Sequence, residues 1–309
     1  MAERVPTRYL SGCAIYKNEA PFLAEWLEFH RLVGFEKFYL YDNASTDAHR
    51  EVLKPFAEQG YVEVRDWPIV PAQLEAYGHC LRRAKDETRW LAFFDVDEFC
   101  YSPLGRPVPE VLGEYEDHPG LGVSLVVFGT SGHEERPAGP VIANYVMRED
   151  ATRVIGKSIV DPHRAVECIS AHHFRYMQRI WPGIWAEVPA VDEQHRELTY
   201  KEPASVEKLR INHYYFKSER EAAEKFKQDY RAFGRPTDDL RSARLRNQRI
   251  LEFRHLANAV KDTDIQMYLP SLREALNQRE RSGRTGRSRP AIRAGSDDAG
   301  RPTSHPVHS

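Results

Sequence analysis

The chain has 309 residues, 41% of them hydrophobic and 29% charged, and a formal net charge of -2. Its mean hydropathy is negative and no apolar run approaches the ~20 residues of a membrane-spanning helix, so the composition is that of a globular, water-soluble chain. The near-neutral balance, with basic residues spread among acidic ones, gives no global field for holding nucleic acid, and no such partner is expected.

In chain order, Tyr9 to Tyr16 reads as a strand. Pro21 then opens a helix whose apolar positions Phe22, Leu23, Trp26, Leu27 and Leu32 recur at helical spacing. A second strand holds Phe35 and Phe38 to Tyr41, and ends in the turn-and-cap cluster Asp42 to Asp47 before a helix through Val52, Leu53 and Phe56. Gly60 closes that helix, Tyr61 to Val64 forms a third strand, and residues from about Ala72 to Glu87 form a third helix. This alternation predicts a doubly wound α/β fold.

The fourth strand signal is Trp90-Leu91-Ala92-Phe93-Phe94, an apolar run that leads straight into Asp95, Asp97 and Glu98. Such a run suits a strand buried on both faces of a parallel sheet, and ligands gather at the carboxyl ends of those strands. If the extended conformation continues, Asp95 and Asp97 point to the same side and face one divalent cation. A hard ion, Mg²⁺ or Mn²⁺, takes oxygen ligands and completes its shell with substrate phosphates. A helix cap explains one aspartate and leaves the other without a role.

Beyond Glu98 the alternation is lost. Pro103, Pro107 and Pro109 punctuate a loop before a short helix near Val111 to Tyr115, and Gly122 to Phe128 reads as another buried strand with the loop Gly129 to His133 at its end. Short strands and loops are expected from Val141 to Trp185, then helices from Glu219 to about Phe233, from Leu240 to about Leu256, and a last one ending near Arg279. Residues 281–309, rich in Arg, Ser, Gly and Pro, cannot recover their ordering entropy and are expected to be disordered. The four cysteines, Cys13, Cys80, Cys100 and Cys168, form no CxxC-type pair and are expected to be reduced, without zinc. The amino terminus carries no long apolar core or cleavage pattern, so the expected location is cytoplasmic. The basic tail offers a contact for an anionic membrane or a partner.

The stretches Cys13-Ala14-Ile15-Tyr16-Lys17-Asn18-Glu19, Glu25-Trp26-Leu27-Glu28-Phe29-His30, Phe38 to Asp47, Trp90 to Phe99, Phe128 to His133, Lys157-Ser158-Ile159-Val160, His172-His173-Phe174 and Ile211 to Tyr215 resemble, in order, segments of glycosyltransferase family 92 and the family-2-like group of GT-A enzymes. The resemblance spans roughly Leu10 to Lys217. It implies a GT-A fold, with a Rossmann-like, mainly parallel sheet flanked by helices and a helical C-terminal part. The catalytic domain then covers residues 1–280, with a nucleotide-binding half at about 9–100, an acceptor half at about 101–217 and helices at about 218–280. The implied activity is metal-dependent transfer of a sugar, with inversion, from a nucleotide-sugar donor (a UDP-sugar) to a hydroxyl of a glycan or other acceptor in polysaccharide biosynthesis. Galactosyl transfer is known in the family, but relatives often carry a polar residue where Ala44 stands, and the loop around Thr130 varies.

Within this reading Asp97 is the direct metal ligand, and Asp95 either joins it or takes ribose or a metal-bound water. Glu98 either tunes the site or is simply solvated. Asn18, Glu19, Asp42 and Asn43 end the first two strands on one rim as candidate nucleotide contacts, where Asp42 either accepts from a uracil N–H or forms an Asx-turn. Gln73 and Tyr77, one helical turn apart, reach toward the nucleotide, or are the polar edge of a packed helix. His133, on the loop after a buried strand, is the candidate for the base that activates the acceptor, since imidazole with a pKa of ~6.5 takes a hydroxyl proton at neutral pH. Glu134, Asp192 and Glu193 compete for that role. Late histidines serve as an extra cation ligand in several GT-A enzymes, which implies the same for His213, against a core histidine satisfied by backbone. Lys157 and Lys217 are candidates for donating to phosphate, and His172 and His173 for lining the acceptor side. A metal-dependent nucleotidyltransferase and a catalytically silent nucleotide- or sugar-binding homologue remain as alternatives. A dehalogenase-type phosphatase is disfavoured because Asp97 is followed by Glu98-Phe99.

Overall fold

Successive residues of the inner strands face two different cores. In the computed structural model, which describes residues 6–69, 72–198, 205–227 and 254–286, strand β1 (Arg8–Tyr16) sends Leu10, Ala14 and Tyr16 to one core and Cys13 and Ile15 to the other. Strand β2 (Lys37–Asp42) divides Phe38 and Leu40 from Tyr39 and Tyr41 in the same way, and β4 (Thr88–Phe93) divides Trp90 and Ala92 from Leu91 and Phe93. Burial on both faces explains why these strands read as unbroken apolar runs. Gly12 is required here, because a Cβ at that position would stand 2.0 Å from the Phe38 ring.

Among the described residues the main sheet has eight strands. Its order is β3 (Val62–Asp66), β2, β1, β4, β8 (Arg153–Val160), β6 (Gly120–Val127), β12 (Arg210–His213) and β5 (Glu98–Tyr101). The first four are parallel to one another, β8 runs against both β4 and β6, β12 is parallel to β6, and β5 runs against β12. All strands but β8 and β5 therefore share one direction, as the expected mainly parallel α/β sheet requires. Helices α1 (Ala20–Leu32) and α2 (His49–Glu58) pack together on one face, and α1 also packs against the C-terminal helix α7 (Leu269–Gly286). Helix α3 (Gln73–Ala84) covers the other face, beneath a small antiparallel sheet of β9 (Ala165–Ser170), β10 (His173–Trp181) and β11 (Ile184–Glu187). Strands β7 (Met147–Arg148) and β13 (Val260–Lys261) pair separately. The short helices α4 (Val108–Leu112) and α5 (Val141–Asn144) and the charged α6 (Glu219–Lys227) complete the described elements. None of the helices among the described residues is long and apolar enough to cross a membrane.

Two expectations change. Helix α7 continues past Arg279, where the last helix was expected to end, to Gly286, and the expected disordered tail lies mostly outside the described residues. Leu32, assigned by periodicity to the buried face of α1, is 38% exposed, because the helix ends there and turns from the sheet. The expected helix from Leu240 lies mostly outside the described residues, as does the end of the one from Glu219.

Candidate active site

The link from β4 to β5 is a turn, not an extended segment. The Glu98 N–H donates to the Asp95 carbonyl at 3.0 Å, and the Asp95 N–H donates to Glu98 Oε2 at 3.0 Å. Helix α1 fixes the start of β5: Trp26 Nε1 donates to the Glu98 carbonyl at 2.7 Å. His30 Nε2 accepts from the Cys100 N–H while Nδ1 donates to the Trp26 carbonyl, and burial holds this imidazole neutral with its pKa down near about 3. The extended conformation that was expected to carry Asp95 and Asp97 to one side is replaced by this turn, and each aspartate has its own partners.

Asp95 is gripped from below. Lys157 Nζ lies 2.7 Å from Oδ2, while Gln73 Nε2 and the Tyr77 hydroxyl donate to Oδ1 at 3.1 and 3.4 Å. Lys157, only 2% exposed, also stands 3.5 Å from Glu98 Oε2. Burial alone would lower its pKa, but the Asp95 and Glu98 carboxylates raise it above the usual lysine range. Burial pushes the Glu98 carboxyl up to about 7 even with Lys157 beside it. Glu98 is therefore a buried member of this cluster and not a solvated side chain. The neighbouring Gly156 admits the close crossing of β6, since a Cβ there would overlap the Val123 carbonyl oxygen at 1.5 Å.

Asp97 has different partners. Lys225 Nζ, from α6, lies 2.8 Å from Oδ2, and His213 Nε2 lies 3.4 Å from Oδ1. Burial pushes this carboxyl up, but Lys225 and His213 pull harder and leave it well below the usual carboxylate range. His213 arrives because β12 pairs with β5, placing it opposite Glu98, with Nδ1 3.8 Å from Glu98 Oε1. Among the described residues no group of three or more His, Cys, Asp or Glu side chains has metal-ligand geometry. Asp97 Oδ1 and His213 Nε2 form a two-donor pair whose spacing suits adjacent ligands of one ion, leaving the rest of the shell to water and phosphate.

Asp95, Asp97, His213 and Lys225 line a cavity of about 350 Å³ at the carboxyl ends of β1, β4 and β12. Of the residues singled out from sequence, Asn18, Glu19, Gln73, Asp95, Asp97, His213 and Lys217 line it. Asn18 holds the rim: with φ of 57°, its Oδ1 accepts the Thr46 N–H at 2.8 Å and its own N–H donates to Ser45 Oγ at 2.9 Å. Tyr77 and Lys157 stand behind the lining and reach it through Asp95.

Others serve the scaffold. Asp42 Oδ1 accepts the Ser45 N–H, three residues on rather than the two of an Asx-turn, at 2.9 Å, and Oδ2 faces His49 at 3.6 Å. Asn43 donates to the carbonyls of Trp67 and Ile69, fastening β2 to the segment after β3. His133 does not line the cavity, because its Nε2 is taken by the Asn144 carbonyl at 3.1 Å, and the Glu134 carbonyl accepts from the Arg220 N–H at the start of α6. Glu193 accepts the backbone N–H groups of Glu207, Lys208 and Leu209, Asp192 pairs with Arg196, and His172 Nδ1 bonds the Gly156 carbonyl.

Sequence reasoning missed Lys225 and Arg136. Arg136 stacks 4.3 Å from the Phe22 ring centroid and its Nε bonds Glu221 at 2.7 Å, while Lys217 lies 4.1 Å from the same ring. With Lys17, these make four cationic side chains lining the cavity. Lys225 sits in a run of alternating charges that reads as a solvated helix face, and no local pattern separates it from its neighbours.

The sequence model described as Glycosyltransferase family 92 matches residues 9–245. A family 92 glycosyltransferase protein of Ricinus communis is 32% identical over 222 residues, covering 67% of this chain and 35% of its own length. A galactan beta-1,4-galactosyltransferase of Arabidopsis thaliana is 32% identical over 119 residues, covering 35% of this chain and 23% of its own. The chain spans about a third of the length of the family 92 relatives it matches. Among solved structures, S. aureus TarS 1-349 in complex with UDP-GlcNAc aligns at a TM-score of 0.36 and 16% identity, over 50% of this chain and 45% of that one.

Proposed function

Because the chain belongs to glycosyltransferase family 92, we propose that it is a metal-dependent glycosyltransferase moving a hexosyl group from a UDP-sugar to a hydroxyl of a glycan or related acceptor, with inversion at the anomeric carbon. The observation that carries this reading is the meeting of two kinds of charge in one cavity. The Asp97–His213 pair suits a hard divalent cation, and Lys217, Lys225 and Arg136 stand beside it where a diphosphate needs positive charge. A cation bound there offsets the charge that builds on the departing nucleoside diphosphate.

The protein's own residues supply position. Lys157, Gln73 and Tyr77 hold the Asp95 carboxylate at the cavity wall, ready for a ribose hydroxyl or a metal-bound water. Lys225, which donates to Asp97 and to the Tyr215 carbonyl, exchanges Asp97 for a phosphate oxygen when the donor binds. The galactan galactosyltransferase among the relatives supports a hexose as the transferred group. Thermal unfolding with a panel of nucleotide sugars, with and without Mn²⁺, tests the assignment. A UDP-sugar is expected to raise the midpoint, and more so with Mn²⁺, since a ligand of the native state stabilises it. No shift with any nucleotide sugar would remove the donor site.

A further inference from the structure

A sugar-transfer site of this kind needs a group that takes the acceptor's proton, and the carboxylates lining the cavity differ sharply in their fitness for it. Asp95 already accepts from Lys157, Gln73 and Tyr77. Asp97 is held ionised by Lys225 and His213. Glu221 accepts from the Ser218 N–H and hydroxyl and from Arg136, which keep its proton affinity low despite burial. Glu224 is exposed at the rim, where Arg220 holds it at 3.4 Å. Glu19 is different. It stands where β1 passes into α1, its side chain makes no cap hydrogen bond, and its Oε2 is buried without a donor, with the Lys217 ammonium no nearer than 3.9 Å.

Resting on the transferase reading, we propose that Glu19 is the general base of this site. The acceptor's hydroxyl oxygen forms the new bond to the anomeric carbon as the bond from that carbon to the diphosphate oxygen breaks, and the bonding pair leaves with the UDP. The hydroxyl proton passes to the Glu19 carboxylate and then to water. The charged groups acting on Glu19 are Asp47 after β2, Asp97 in the β4–β5 turn, Lys217 after β12 and Lys225 on α6. Burial raises its proton affinity and the two lysines only partly oppose this, which moves the carboxyl toward the range where a base works at neutral pH.

The test compares wild type, Glu19→Gln and Glu19→Asp in sugar transfer, together with calorimetric UDP binding. For Glu19→Gln, kcat is expected to fall about 100-fold or more, with donor KM and UDP affinity within about threefold of wild type and the acidic limb of the kcat/KM profile abolished. Glu19→Asp should recover part of kcat and restore that limb. A Glu19→Gln protein that keeps kcat within about threefold with its acidic limb intact overturns the base, and so does a loss that falls entirely on donor KM and UDP affinity. Wild-type protein that binds no UDP and transfers no sugar would instead overturn the transferase reading and the base with it.

Discussion

Lys157 and Asp95 form an ion pair of 2.7 Å in which the lysine is only 2% exposed and the aspartate reaches the cavity wall. The ammonium also stands 3.5 Å from Glu98, so a single buried cation anchors both ends of the turn that carries the site. Removing one partner of a buried pair leaves the others uncompensated.

Lys157→Met should therefore destabilise the fold by about 3 kcal/mol, read as a lower midpoint in urea, with a larger loss of transfer activity than Lys157→Arg. A midpoint equal to that of wild type would mean that Asp95 and Glu98 are compensated by other groups.

Lys217→Met removes a cation from the cavity and leaves both side chains of the Asp97–His213 pair in place. UDP affinity should fall about tenfold by calorimetry, corresponding to roughly 1.4 kcal/mol, and the effect should shrink in high salt. Unchanged affinity would take the diphosphate away from this wall.

Replacing His133 is expected to be mild. Its ring rests on the Asn144 carbonyl, away from the cavity lining, so His133→Gln should retain kcat within about threefold. A hundredfold loss of kcat at unchanged donor KM would return the base role to the loop histidine and displace Glu19.

Glu25 gives a pH signature independent of the reaction. On α1 it accepts the N–H groups of Val141 and Ile142 at 2.7 and 3.2 Å, and burial lifts its pKa to about 7 although these bonds and Lys217 oppose the rise. An acid with a raised folded-state pKa binds more protons folded than unfolded. Its contribution is present below about pH 4.5 and is lost as pH climbs through about 7. Wild type should lose about 1–3 kcal/mol relative to Glu25→Gln across that window. A pH-independent difference between the two proteins would place the Glu25 pKa near its ordinary value.

The inner strands were legible in the sequence because burial on both faces leaves continuous apolar runs, and the runs at β1, β2 and β4 fall where they were expected. Asp95, Asp97, Gln73 and Glu19 were legible as rim residues from strand ends and helix spacing, and His213 only through the family resemblance. The partners of each carboxylate were not. Lys157 and Lys225 come from β8 and α6, far along the chain, and only the folded arrangement sends one lysine to Asp95 and the other to Asp97. A histidine on a loop after a buried strand looks the same in sequence whether it points to a substrate or, as His133 does here, to the carbonyl of Asn144.

The most direct measurement is UDP release from UDP-sugars by wild type and Asp97→Asn, with Mn²⁺, with Mg²⁺ and with EDTA. Metal-stimulated release of free UDP by wild type, reduced about 100-fold or more in a normally folded Asp97→Asn protein, is the predicted result. Equal release by the two proteins, or pyrophosphate as the product in place of UDP, would contradict the account.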